Sequence, residues 1–328
     1  MRAWFARCAE TGLRAIDSLR LLPASNRDEG RVRVLMYHGI LPHSPSRISP
    51  VAVDRGMFHR QVSYLKKKFR LLHASELRET LANPVQGTGP AILLTFDDGL
   101  GNNATVVRPI LEELQIPAIF FVSLRHTMPG RLLWFTHAKA LFACHPRKSL
   151  FLLGRKWPLS SSAERNRSWV KFCQFARLVG VGEMYASLEA YPVTSLVSPE
   201  TVENELRGMT EQEIAAIARS QVISIGAHTV NHPHLTGCSE AELKEEISGS
   251  KIELERICGR PIVLFAYPDG DYDHRVVTAV RNAGFQLAFA VNRRSTGLDD
   301  IPGFTIRRVG IYRGGTGLLA AKAYGWLN

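Results

Sequence analysis

The sequence predicts an α/β protein whose parallel strands close into a barrel, and three observations lead there. Short apolar, β-branched runs alternate with amphipathic helical patterns along most of the chain, which is the signature of βαβ units. About eight candidate strands in roughly 300 residues suit a barrel better than an open dinucleotide-binding sheet, and no GxGxxG or P-loop signature occurs. The chemically active polar residues gather just after the apolar runs, at the strand ends where such folds bind ligands.

Taken in order, residues 1–30 stand apart. Trp4, Phe5, Leu13, Ile16, Leu19, Leu21 and Leu22 interleave with arginines, predicting an amphipathic helix that packs on its own domain or lies on an anionic membrane surface. Arg7, Arg14 and Arg20 interrupt the apolar positions, so no signal-peptide core forms, and no apolar span reaches the roughly 18 residues of a membrane helix. The expected location is cytoplasmic, with or without peripheral membrane contact. The barrel domain then occupies residues 31–328.

Val32–Tyr37 reads as a first strand ending at His38-Gly39, followed by a Pro/Ser-rich loop and a helix opening at Asp54 with Phe58, Val62 and Leu65 on one face. A short strand at 69–72 and a small helix from Ser75 lead to Ala91–Phe96. That run is bounded by Gly89-Pro90 and Gly99, so it reads as a buried strand. A helix from about Asn103 contains Pro109, which predicts a kink, and Ala118–Val122 is the next strand. Residues 127–208 break the rhythm with Trp134, Trp157, Trp169 and polar stretches, and are expected to be a mostly helical insertion that shapes the substrate cleft. Alternation resumes with capping boxes at Thr210–Glu213 and Ser239–Glu242 and strands at 222–225, 262–265, 286–291 and 305–309, with a helix from Asp273 to Gly284.

Of 328 residues, 45% are hydrophobic and 22% charged, an ordinary globular composition that excludes a disordered chain. The net charge of +11 favours anionic partners such as a phospholipid surface, an acidic glycan or a sugar nucleotide. Nucleic acid is not expected, because no basic run is interleaved with aromatics and no finger or RNP-like motif occurs. The five cysteines are scattered, with no CxxC pair, as expected of reduced thiols.

Asp97 and Asp98 are adjacent carboxylates delivered by one strand end. They repel each other unless a cation sits between them or one holds a proton; the plain alternative is a strand followed by an Asp-Gly turn. His228 and His232 stand at i and i+4 directly after a strand, a spacing that on a helical turn brings both rings to one face, as a metal needs. Alone, such a pair is as readily two surface histidines. With Asp98 it makes a two-His, one-carboxylate set that leaves positions open and suits Zn²⁺, Co²⁺ or Fe²⁺.

Three segments, TFDDG (Thr95 to Gly99), HTVNH (His228 to His232) and FAYPDG (Phe265 to Gly270), lie in that order on strand ends. As a set they resemble the polysaccharide deacetylase family, also called the NodB-homology or carbohydrate esterase family 4 fold. The resemblance covers about residues 31 to 310, and the segments LMYHGI and IRRVGI are similar to the subgroup of exopolysaccharide and lipopolysaccharide gene clusters. It implies a distorted (β/α)₇ barrel and metal-dependent removal of an acetyl group from an N-acetylated sugar. Carried over, Asp98, His228 and His232 would hold a divalent metal, Zn²⁺ in the first place and Co²⁺ or another ion otherwise. Asp97 would be the general base, and the backbone N–H after Pro268, that of Asp269, would stabilise the oxyanion. Tyr267 and Pro268 would contact substrate, and Thr229 and Asn231 would orient the loop.

Two departures from the family pattern matter. Many relatives carry an arginine, tethering the base, where this chain has Ala266; Arg307 or Arg308 could replace it from the last strand, or both could be surface residues. No histidine follows His274 to serve as the general acid, which leaves His38, His274 or water, and His234 reads as a surface loop residue. The expected activity is N-deacetylation of a lipid- or nucleotide-linked glycan precursor. The rivals are a weakened carbohydrate-binding relative and another amide or ester hydrolase, such as an O-deacetylase, on the same barrel.

Overall fold

The computed structural model describes residues 32–83, 89–291, 301–312 and 314–325. The expected N-terminal helix lies outside the described residues. Seven parallel strands close into a barrel in chain order: β1 (Val32–Tyr37), β2 (Ala91–Phe96), β3 (Ala118–Val122), β4 (Ile223–Ala227), β5 (Leu264–Ala266), β6 (Leu287–Val291) and β7 (Ile306–Gly310), which pairs back onto β1. The expected barrel is therefore found, with seven strands. The eighth candidate, at 69–72, contributes one bridge between Leu71 and Ile92.

The barrel is uneven. β1 and β2 pair over their whole length, from Val32↔Ala91 to Tyr37↔Phe96, whereas β4 meets β5 only at Ala227↔Phe265. Gly226 shows how tight that seam is. A Cβ there would sit 2.5 Å from the Phe121 ring and 3.1 Å from the Leu264 carbonyl oxygen, so only glycine lets the strands approach.

Alternate residues of each strand point inward. Leu93, Ile119, Phe121, Leu264, Ala266, Leu287 and Phe289 fill the lower barrel as one buried cluster, with the Phe121 and Phe289 rings 5.1 Å apart. A larger cluster joins the outer faces to the helices. The first helix, Arg55–Lys68, illustrates this packing: Asp54 caps it by accepting from the Met57 N–H at 2.8 Å, and Lys66, Lys67 and Lys68 face its negative end. Phe58, Val62 and Leu65 are fully buried, each worth about 1.5–3 kcal/mol of transfer free energy.

Residues 101–113 form one helical run with Pro109 inside it: Asn103–Val107 widens to an i→i+5 turn directly before the α-helical Arg108–Glu113, the kind of irregularity by which a helix accommodates proline. Residues 127–208 are mainly helical, including Trp134–Cys144, Ser162–Ala176 and Val181–Glu189, around a core of Trp134, Phe142, Trp157, Phe172 and Tyr185. They also contain an antiparallel hairpin, Ser149–Leu152 with Arg155–Pro158, which the sequence reading missed. Its turn places Leu153 and Gly154 at φ 53° and 68°. A leucine is a poor signal for such a left-handed turn.

Candidate active site

The strand parity that stacks Leu93 below Thr95 carries on to Asp97 at the barrel mouth. Arg308, on β7, enters the same interior and is 1% exposed. Its Nη1 and Nη2 donate to the two Asp97 oxygens at 2.6 and 2.8 Å, and Nη1 also reaches Thr95 Oγ1 at 3.4 Å. Arg308 thus makes the contact with Asp97 that was expected of an arginine at the position of Ala266, while Arg307 is exposed. Burial pushes Asp97 up, but the charges of Arg308 and His228 and the Arg308 hydrogen bonds outweigh it, and the carboxyl lies below its ordinary value.

Asp98, the next residue, turns the other way. Its backbone is left-handed at φ 75°, and its carbonyl accepts from the Ser123 N–H at 3.2 Å and the His126 ring at 2.6 Å. Its Oδ1 lies 3.7 Å from Nε2 of both His228 and His232. Ligand atoms of these three buried residues all fall within 4.8 Å of one another.

Nδ1 of His228 donates to the Ala266 carbonyl at 2.8 Å, which leaves Nε2 as the lone-pair nitrogen facing Asp98. Burial, with the nearby His228 charge, pulls His232 down to about 3, so its ring is neutral at ordinary pH. Burial pushes Asp98 up; His38 and His228 oppose this, while Asp97 and Asp269 add to it. Two imidazoles and a carboxylate short of positive charge are the donor set that a divalent cation fits.

The HTVNH loop is held from below by Glu246, which the sequence reading missed. Its carboxylate accepts from the N–H groups of Val230 and Asn231 at 2.9 and 2.8 Å and from Asn231 Nδ2 at 2.7 Å. Thr229 Oγ1 accepts from the His232 N–H at 3.0 Å. From above, Tyr185 donates to the Asn231 carbonyl and Trp134 Nε1 to that of His232, at 3.0 and 2.8 Å. A glutamate in a helix of alternating charge, 15 residues further on, carries no local signal of this task.

These residues open into a cleft of about 630 Å³. One wall is the 48–52 loop; the other is the helix pair Trp134–Cys144 and Ser162–Ala176. His38 and Asp269 line it, and His38 Nδ1 is buried with no hydrogen-bond partner. Asp269 is left-handed at φ 54°, and His234 Nδ1 lies 3.2 Å from its Oδ2 without the alignment of a hydrogen bond. His234 is therefore a cleft residue and not the surface residue expected.

Three expected site residues are not brought there. His274 is exposed at the start of the helix His274–Asn282 and lines a separate groove with Glu240 and Lys244. Tyr267 is fully buried, its hydroxyl donating to the Phe304 carbonyl at 3.0 Å, and Pro268 is buried at the start of a tight turn. Asp269, the residue after these two, lines the cleft instead.

Residues 184–288 match the sequence profile of the family described as Polysaccharide deacetylase. The Bacillus subtilis (strain 168) protein YxkH, provisionally named a polysaccharide deacetylase, is 26% identical over 104 residues, or 32% of this chain. The match thus spans only about a third (34%) of that curated relative. Among solved structures, the Streptococcus pyogenes deacetylase PplD in complex with acetate aligns over 90% of this chain and 98% of its own, with a TM-score of 0.56 at 18% identity. IcaB from Ammonifex degensii aligns over 90% and 97%, with a TM-score of 0.56 at 20% identity. At these identities the structures establish the shared fold. Residues 184–288 thus carry the polysaccharide deacetylase profile, and the barrel that they help to close has the fold of these two solved structures.

Proposed function

We propose that this chain is a metal-dependent hydrolase that removes an N-acetyl group from an amino-sugar unit of a bacterial glycan or of its lipid- or nucleotide-linked precursor. The observation that carries the reading is the convergence of Asp98, His228 and His232 beside a second carboxylate, Asp97, which has a partner of its own. A divalent cation held by Asp98, His228 and His232, Zn²⁺ in the first place, supplies a Lewis acid that makes water nucleophilic near neutral pH.

The chain's own groups divide the remaining work. Arg308 keeps Asp97 ionised and fixes its plane, while each oxygen retains a lone pair to accept the proton of an attacking water. The backbone N–H of Asp269 donates to the oxyanion that develops on the acetyl carbonyl. His38 gives a proton to the leaving amine; it lines the cleft, which His274 does not. Complete retention of the ligand set and of an anchored base weighs against a merely carbohydrate-binding role.

The test is acetate release by purified protein with Zn²⁺ or Co²⁺ from GlcNAc oligosaccharides, UDP-GlcNAc and polyprenyl-linked GlcNAc, with O-acetylated sugars alongside. Chelator-sensitive release from the amides supports the reading. Release from the esters alone moves the assignment to O-deacetylation, and metal binding with no release from either refutes it.

A further inference from the structure

The positive charge of this chain is concentrated. Residues 131–178 hold ten Lys and Arg against one acid, Glu164, a net +9 of the chain's +11. This segment supplies the helix pair that walls the cleft, and two of its cations, Lys139 and Arg177, line the cleft itself. Trp169, Cys173 and Arg177 follow one another at i, i+4 and i+8, so they form one stripe along the helix Ser162–Ala176 and its C-terminal cap.

Lys139 is half-buried in the facing helix. Its Nζ stands 4.9 Å over the Trp169 ring, and no carboxylate lies within ion-pairing distance of it among the described residues. Burial pulls its ammonium below the ordinary lysine value, which an anion beside it would relieve. Among the described residues Arg177 has one ion pair, a long contact of 3.9 Å with Asp271, and its side chain is 40% exposed. The carboxylates of the cleft are otherwise engaged: Asp97 by Arg308, Asp98 by the imidazoles, Asp269 beside His234, and Glu205 by Ser46 Oγ at 2.7 Å.

We infer that Lys139 and Arg177 form a subsite for a phosphate ester that the substrate carries next to its acetylated sugar. The inference rests on reading this cleft as the substrate site. A planar guanidinium and a point-charge ammonium together match a phosphate's several oxygens and its charge of more than one. A neutral glycan would leave Lys139 without a counter-anion and Arg177 with its long Asp271 contact. Val170, at the cleft edge, is 56% exposed. A lipid on the far side of the phosphate would pack on that apolar edge, and a nucleotide is the other source of the same group.

The experiment uses the full chain loaded with Zn²⁺ and compares kcat/KM for acetate release from a GlcNAc oligosaccharide, GlcNAc-1-phosphate, UDP-GlcNAc and polyprenyl-phosphate-linked GlcNAc in detergent. At least one phosphate-bearing substrate should exceed the neutral one by about tenfold or more, the gain of one to two charge-assisted hydrogen bonds. Which one it is separates lipid from nucleotide. Lys139→Gln and Arg177→Gln should each lower that ratio by roughly tenfold. Lys171→Gln, in the groove on the helix's other flank, should leave it unchanged. A phosphate-bearing panel no better than the neutral sugar, or a ratio that survives Lys139→Gln, overturns the subsite while the deacetylase reading stands. If no substrate releases acetate, the deacetylase reading fails, and calorimetric binding of UDP-GlcNAc and GlcNAc-1-phosphate still decides the subsite. A loss of about tenfold in affinity on Lys139→Gln supports it, and equal affinity sinks it.

Discussion

Replacing Arg308 by methionine probes the site at its most buried point. The guanidinium is 1% exposed, meets both Asp97 oxygens within 2.8 Å and lies 5.4 Å from the centre of the Phe121 ring. Methionine refills much of the volume but strands the Asp97 carboxylate in the barrel. Breaking one half of a buried pair costs about 3–5 kcal/mol, several times the roughly 1 kcal/mol of an average substitution. Asp97→Asn combined with Arg308→Met removes the stranded charge, so the double variant should recover most of that loss.

The pH dependence should also change sign. In the native chain Asp97 lies below its ordinary 3.8, so its contribution is complete above that value and is lost only as pH falls through the native value. Without Arg308, burial is opposed only by the charges of His228 and His38; the native value should rise above the unfolded one, so stability declines as pH climbs from about 4 through the gap between them. Urea unfolding of chelator-treated protein at about pH 5 and pH 8 reads both effects. The reasoning fails if Arg308→Met stays within about 1 kcal/mol of the native chain, or if the double variant is no more stable than the single one.

Other substitutions separate the remaining roles. Asp97→Asn should keep bound divalent metal near the native content yet lose turnover by about 10²–10⁴-fold, whereas His228→Ala should lose both; equal metal loss in the two would merge the roles of Asp97 and Asp98. Glu246→Ala frees the loop bearing both imidazoles and should weaken metal affinity by about 10–100-fold, measured by competition with a chromogenic chelator. His38→Ala should reduce kcat by on the order of 10²-fold, while His274→Ala should match the native rate. The reverse pattern would move the acid out of the cleft.

Much of this site was readable in advance because strand parity is a local property and both imidazoles lie in one short segment, although that segment is a loop with left-handed Thr229 and His232 and not the helical turn that i, i+4 spacing assumes. The apolar run before Asp97 and Asp98 specified a strand, and β2 ends at Phe96 immediately before them; the HTVNH spacing placed two imidazoles together, and their ring centres are 4.9 Å apart. What was not legible depends on distant pairing. Arg308 and Asp97 are 211 residues apart, and only closure of β7 onto β1 decides that Arg308 enters the barrel while Arg307 faces out. Tyr267 was read from its motif neighbours as a substrate contact, but its ring follows the outer face of its strand into the Phe265 and Tyr272 packing. His234 and Glu246 were hidden for the same reason, since their partners come from the loop's tertiary path.

The backbone explains how two adjacent aspartates acquire different tasks. Among the described residues, six non-glycine positions have positive φ, and four of them are Asp98, Thr229, His232 and Asp269. Each such conformation costs on the order of 1–3 kcal/mol and persists only where its surroundings over-determine it. Here they do: the Asp98 carbonyl is held by Ser123 and His126, the Thr229 carbonyl accepts from the Leu124 N–H at 3.2 Å, and Glu246 fixes the two residues that follow. Extended backbone through both aspartates would send their side chains to opposite faces of β2, one inside the barrel and one outside it. The left-handed step at Asp98 instead returns its carboxylate to the mouth, beside the imidazoles, while Asp97 stays on Arg308. The strain is thus the means by which one strand end delivers both a candidate metal ligand and a candidate base.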